Sequence, residues 1–392
     1  MARGSADGAA DRASETAPAL TSTVWRMLAV AALLLAAANV LFGLMYRLDG
    51  ENVDDFQQLL EWSGAWLGGS DPYAPPHSIT DYPPNALVML APLATLPLPQ
   101  ATALWTVLHV VLTLGLGALA TRLVAPGRAA MLFGALVLCL PPFRTVLQVS
   151  LASFVPALAG FVFADRYPRF AGVAIGLSLF KPHIGGPMLL WAVAARRWRS
   201  VRIAIAVPAA LFTVYLARAG QGPHDVIVEW VQALVRTQNR EDLVAGETGL
   251  RQLFEWSALA RVEAQAVIAL VLGFGLTVVW WRRDRDFDLR FLAAACLLSL
   301  LSFRHLSYNL LLAIPALAFA LSRTGAAARA IGGLSFAILI ASPPSLWRHV
   351  VEPRLGDTIF DPLAMHAYRL AGVALFLVAV LARERSPGGD TI

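Results

Sequence analysis

An all-α fold that crosses a membrane many times is what this sequence predicts, and three observations carry the prediction. Hydrophobic residues make up 57% of the chain and charged residues 15%, with a mean hydropathy of +0.62, which the surface of a water-soluble domain cannot carry. The apolar residues gather in runs of about twenty, the length a helix needs to cross hydrocarbon. Arginines cluster in the short breaks between those runs, as they do in cytoplasmic turns. Lipid offers no partner to an unpaired backbone group, so the runs read as helices. The net charge of +5 and the isoelectric point near 9.6 come from these clusters, which speak for topology and against a nucleic-acid partner.

Residues 1–23, MARGSADGAADRASETAPALTST, are small, polar and turn-prone, and predict a disordered cytoplasmic tail. A single transmembrane domain is expected over 24–385, with a second cytoplasmic tail at 386–392. Its first span is Met27 to Tyr46, an uncleaved anchor. Further apolar runs begin near Asn85, Ala101, Ala129, Leu151, Phe170, Ile184, Val201, Ala264, Leu289, Leu306, Ala327 and His366, which makes about ten to twelve spans. Cytoplasmic turns are marked by Arg122 and Arg128, Arg166 and Arg169, Arg196 to Arg202, Arg282 to Arg285, Arg323 and Arg329, and Arg383 and Arg385. Both termini then lie inside, and the polar stretches 47–100, 218–263 and 342–365 become outer loops. Parity requires the chain to reverse at Lys181 to His183, "KPH", as a broken or re-entrant pair of short helices. Asn85 to Pro97 is likewise too short to cross and should lie at the interface. Cys139 and Cys296 sit inside apolar runs and predict neither a disulfide nor a metal site.

The first outer loop opens on Asp54 and Asp55, ahead of FQQLLEWSGAWL. Phe56, Leu59, Leu60, Trp62, Trp66 and Leu67 fall on one helical face, expected to bury along the membrane surface. Gly68 and Gly69 end that helix and SDPY turns the chain. On composition alone the two aspartates serve equally well as helix caps.

The motifs DFQ, GGSDPY, YPP and PLATLP, in that order, resemble the first outer loop of glycosyltransferase family 87, a branch of the GT-C superfamily of polyprenyl-phosphate-sugar-dependent enzymes. LQVSLASF at Leu147 to Phe154, ADRYPRFAGVAIGLSLFKPHIG at Ala164 to Gly185, RRWR after it, and SFRHLSYNLLLAIPAL at Ser302 to Leu317 are similar to later segments of the family, so the likeness runs over about three quarters of the chain. Two positions depart from the pattern: Ser150 stands where an amide is usual, with no glycine before Gln148, and Asn309 where many relatives place an acid or a histidine.

The resemblance implies a GT-C-type helical bundle that moves a hexose, with mannose the expected sugar, from a polyprenyl-phosphate donor to a lipid or glycan acceptor. The acceptor hydroxyl attacks the anomeric carbon opposite the departing phosphate, through an oxocarbenium-like transition state, and a carboxylate takes its proton. That role falls to Asp55, sixteen residues before Asp71 of DPY, with Asp54 as the fallback. The departing phosphate needs cations, and Lys181, Arg304 and His305 are the basic residues at outer turns closely flanked by apolar runs. The simpler duty for Lys181 is a snorkelling anchor, and for Arg304 and His305 an interfacial one. Asp71, Tyr73, Tyr82, Gln148, His183 and Asn309 are implied substrate contacts. His109, among Val and Leu, reads as a core histidine, and Glu247, Arg251 and Glu255 as a solvated loop face. No tight metal-ligand spacing and no phosphate-cradling glycine loop is present, so neither a metal nor a soluble nucleotide-sugar donor is expected and no cofactor is implied. The rival from another class, a transporter or lipid flippase, predicts paired ionisable residues at mid-membrane, whereas the charge here lies at turns.

Overall fold

Proline sets the rhythm of the helices. In the computed structural model, which describes residues 55–74, 82–124, 149–238, 247–248, 273–281, 286–302, 305–322, 326–341 and 362–381 and scattered helical positions at 27, 30, 34, 37, 38, 133, 134, 137 and 270, helix after helix begins at a proline. The missing N–H of proline costs nothing there and its φ is already helical. The elements are α1 (Asp55–Leu67), α2 (Pro84–Ala94), α3 (Leu98–Ala120), α4 (Ser150–Phe163), α5 (Pro168–Ser178), α6 (Pro182–Ala194), α7 (Trp198–Ala219) and α8 (Pro223–Gln238). After them come β1 (Glu247–Thr248), α9 (Phe287–Ser302), β2 (His305–Leu306), a 3₁₀ turn (Ser307–Ala313), α10 (Ile314–Ser322), α11 (Ala326–Ala341) and α12 (Pro362–Leu381). The antiparallel pairing of Glu247 with Leu306 and Thr248 with His305 is the one departure from all-α among the described residues.

Among the described residues, two helices, Leu98–Leu123 and Trp198–Ala219, are long and apolar enough to cross a membrane. The other apolar helices picked out by composition, Pro84–Ala94, Ser150–Phe163, Asn309–Ser322 and Leu370–Leu381, are shorter than the spans of about twenty residues the sequence leads one to expect. Most of the expected runs from Met27, Ala129 and Ala264, Cys139 and the polar tails lie outside the described residues.

The expected reversal at KPH is present. Gly172 lies against Ser200 and Ile203, and Gly176 against Ala204 and Val207, so α5 and α7 run parallel and α6 must return between them. At the shared starting end Arg197 pairs with Asp165 and, at 3.3 Å, with Asp288. Its guanidinium also lies 5.0 Å from the Trp191 ring, while Trp191 Nε1 donates to Asp288 at 3.0 Å. The arginine clusters around Arg166 and Arg197 therefore meet at one end of the bundle, as parity requires. With 11 and 13 residues, α5 and α6 reach only about 16–20 Å at 1.5 Å per residue.

Among the described residues the apolar side chains form two cores. One, the bundle core, joins α3, α4, α6, α9, α10 and α12. The other is a cap in which Phe56, Leu59 and Trp66 of α1 pack with α2, the later half of α7 and α8. The apolar face of α1 was expected along the membrane surface; it is instead buried in protein. Phe56 stacks on Trp105 at 4.6 Å and Trp66 on Tyr215 at 5.4 Å. Aromatic partners from α3 and α7 bury it more completely than an interface would. Gly69, at φ 81°, ends α1 as expected.

The break before α6 depends on one close approach. A Cβ on Gly185 would lie 2.5 Å from Ser178 Oγ and 2.7 Å from the Ser178 carbonyl oxygen, whereas a Cβ on the adjacent Gly186 meets nothing within 4 Å. Gly185→Ala is expected to lower stability by about 1–3 kcal/mol through overpacking, and Gly186→Ala to be neutral or to raise it by up to about 1 kcal/mol through helix propensity. Thermal melts of the two purified variants check this, and equal melts would remove the constraint.

Candidate active site

Three helices begin side by side where the two cores meet. Ser150 is the first residue of α4, Lys181 caps α6, and Tyr82 stands two residues before the start of α2. Lys181 Nζ donates to Ser150 Oγ at 2.9 Å and to Tyr82 Oη at 3.2 Å, and lies 5.5 Å from the Tyr82 ring centroid. Ser150 in turn donates to Asn309 Oδ1 at 2.7 Å. Lys181, Ser150 and Asn309 are 4%, 1% and 2% exposed. Each helix start carries a partial positive charge of about half an electron, so three of them add to the ammonium rather than offset it. The arrangement is chemically suited to an anion.

Local backbone explains how these side chains arrive. The Leu179–Lys181 turn is closed by the Lys181 N–H on the Ser178 carbonyl at 3.2 Å, and Ser153 Oγ donates to the same carbonyl at 2.7 Å. Tyr82 is held from the cap: its carbonyl accepts the Tyr73 hydroxyl at 3.0 Å. The Tyr73 N–H donates to Asp71 Oδ1 at 2.9 Å, an Asx turn of the kind DPY favours. Helix α8 supports this turn through Arg236 Nη2, 3.2 Å from the Tyr73 carbonyl oxygen. Arg218, at the end of α7, donates to the Trp66 carbonyl at 3.4 Å and to that of Leu67.

Asp71, Tyr73, Tyr82, Lys181 and Asn309, chosen from the sequence as site residues, are thus joined by one run of contacts. His183 stands in the first turn of α6, half-buried, and its carbonyl accepts from Ser299 Oγ at 2.5 Å. Asp55 opens α1 and His305 pairs with Thr248 through the backbone. Their side chains lie outside the described residues, as do Asp54, Gln148 and Arg304 entirely. His109 is buried on α3, as expected of a core histidine. Sequence reasoning overlooked Ser150 as a site residue; its only signal was the departure from an amide at that position. It also passed over Glu229 and Arg236 on α8, whose amphipathic pattern, with Asp225 in its first turn and Arg236 in its last, was the signal available. No group of three metal-ligating side chains converges among the described residues.

The sequence model of glycosyltransferase family 87 matches residues 80–303, more than half of the 392-residue chain. The chain belongs to glycosyltransferase family 87. It is therefore a glycosyltransferase, which needs a sugar donor and an acceptor. No curated protein and no solved structure is similar enough to be matched to it. The matched stretch of the family 87 chain takes in Tyr82, Ser150 and Lys181, with Asp55 and Asp71 before it and Asn309 after it.

Glu229 of α8 stands beside the Asp71 carboxyl and accepts from Gln221 Nε2 at 3.1 Å. Its carboxyl is held above the ordinary glutamate range, first by burial and next by the neighbouring Asp71 charge, against the pull of Gln221. Folding thus favours the protonated form. The stability this brings is present below the ordinary glutamate range and lost as pH rises through the raised value. Glu229→Gln, neutral throughout, is expected to melt higher than the parent above that window and to converge with it in acid. Melting profiles from pH 4 to 8 check this, and parallel profiles would dismiss the linkage.

Proposed function

We propose that this family 87 enzyme transfers a hexose, mannose first among the candidates, from a polyprenyl-phosphate sugar to a lipid or cell-envelope glycan acceptor. The observation that carries the reading is the buried Lys181 ammonium at the start of three helices, a site whose fixed charge suits the phosphate that leaves the anomeric carbon. Arg304 and His305 are assigned to the same phosphate because the turn after them carries Asn309 onto Ser150. Asp55, at the first turn of α1, is the general base that takes the acceptor proton as its oxygen attacks, while the electron pair of the broken glycosidic bond leaves on the phosphate. Asp71, Tyr73, Tyr82, Gln148, His183 and Asn309 are assigned to substrate binding; of these, Tyr73 and Tyr82 are tied together at 3.0 Å.

A donor on a lipid places the enzyme in a bacterial inner membrane, multi-pass, with both termini inside and the site facing outward. Helix α3 supports the membrane part: Leu104, Val107, Val111 and Leu114 are all more than half exposed on it, an apolar face too wide for water. Arginine parity supplies the orientation. With Cys139 and Cys296 replaced, a cysteine at Ser70 is expected to label from outside in intact cells, and labelling only after permeabilisation would reverse the topology.

Two substitutions test the chemistry, in nanodiscs with a polyprenyl-phosphate mannose and a lipid acceptor extract. Asp55→Asn is expected to lose about 10²–10⁴-fold in turnover with donor binding retained, and Asp54→Asn to lose far less. Near-normal transfer by the Asp55 variant removes the base assignment, and loss confined to the Asp54 variant moves it by one residue. Lys181→Met is expected to raise the donor KM by at least tenfold, while an unchanged KM reduces Lys181 to an anchor.

A further inference from the structure

Helix α8 is amphipathic the wrong way round for water. Ile227, Val231 and Val235 recur at every fourth residue with Val228 beside them, and they are 46%, 43%, 52% and 37% exposed. They make one apolar row along the outside of the helix. Two of its charged side chains turn the other way: Glu229 accepts from Gln221 at 3.1 Å beside Asp71, and Arg236 donates to the Tyr73 carbonyl at 3.2 Å. Val226 and Ala233 are fully buried against the cap. Asp225 and His224, 3.3 Å apart, stay exposed in the first turn. A helix facing water shows the reverse order, with its polar face outward.

The position of α8 says what covers the row. Helix α7 has 22 residues and rises about 33 Å, close to the roughly 30 Å of a hydrocarbon core. It starts beside the arginine cluster at 196–202 and shows apolar side chains outward along its length, Ile205 at 54% and Val214 at 51%. Its end is a turn at Gly220, φ 67°, and α8 begins three residues later at Pro223. The row therefore stands where a span leaves the hydrocarbon. A second copy of the chain fits it poorly, because four half-exposed aliphatic side chains cover far less than the roughly 800 Å² per partner of a stable dimer.

We propose that α8 lies on the outer leaflet of the bilayer, with Ile227, Val228, Val231 and Val235 among the acyl chains just beneath the headgroups. Helices of this kind sink about 5–10 Å into that boundary. The opposite face of α8 holds the Asp71–Tyr73 turn through Arg236, so one helix touches lipid on one side and supports the candidate site on the other. It takes the place expected of α1, whose apolar face is buried in protein. The proposal rests on the membrane placement proposed above.

The test uses the full chain with Cys139 and Cys296 replaced, in nanodiscs of phosphatidylethanolamine and phosphatidylglycerol. Single nitroxide labels are placed through Val231→Cys, Val235→Cys, Asp225→Cys and, on α3, Val107→Cys, whose parent side chain is 62% exposed. Relaxation of each label by oxygen, which concentrates in lipid, is compared with relaxation by a water-soluble nickel chelate. At 231 and 235 oxygen is expected to be severalfold the more effective, as at 107, and at 225 the nickel chelate. The label at 235 decides if the 231 variant does not fold. Nickel preference at 231 and 235 with oxygen preference at 107 would overturn the placement of α8 and leave the membrane reading standing. Labels at 231 and 235 shielded from both reagents would mean that protein covers the row, and would overturn it equally. Oxygen preference at 225 as well would exclude a helix lying on the surface. Nickel preference at 107 would overturn the membrane reading itself.

Discussion

The constraint on which the rest of the molecule depends is a lysine ammonium taken out of water. Burying an ammonium costs several kcal/mol unless its hydrogens find fixed acceptors. Lys181 finds them in Ser150 and Tyr82, and neither residue is local to it in sequence. To bring them there, α2, α4 and α6 must all begin at the same level, and the 3₁₀ turn after β2 must close behind Ser150. The seam between the two apolar cores lies at this level. Val149 and Phe180 belong to the cap, whereas Leu151 and Ile184 belong to the bundle core.

The cap has a mechanical role in this arrangement. Tyr82 reaches Lys181 only because its carbonyl is held by Tyr73, which is held in turn by the Asx turn at Asp71 and by Arg236 of α8. Stacking of Trp66 on Tyr215 and of Phe56 on Trp105 fixes α1 against α7 and α3. The aromatic side chains of the cap are thereby fixed against the helices of the bundle. Glu229 of α8, whose carboxyl is held above the ordinary glutamate range by burial and by the neighbouring Asp71 charge, makes this side of the cap sensitive to its protonation.

The opposite end carries the complementary device. Arg197 gathers Asp165, Asp288 and Trp191 into one cluster, tying the turn before α5, the turn before α7 and the start of α9. With α5 and α7 parallel and both anchored there, α6 has to run back, and its first residue has to follow a tight break at Lys181. The anchor at one end thus makes the lysine turn at the other end necessary. Gly185 permits the break by letting α6 approach the Ser178 carbonyl.

Much of this was legible in the chain alone. Apolar runs, prolines and arginine clusters determined that the protein is helical, where most helices begin, and that the chain reverses at KPH, because backbone satisfaction and charge placement act locally along the sequence. The order of short motifs marked Asp71, Tyr73, Tyr82, Lys181 and Asn309 as site residues. The burial of α1 within protein was not legible, since an amphipathic pattern says that one face is covered but not by what. Ser150 as the link between Lys181 and Asn309, and Glu229 beside Asp71, were decided by tertiary structure alone. Their partners stand 31, 159 and 158 residues away in the chain, and only the packing of helices around a buried charge sets which hydroxyl faces which amine.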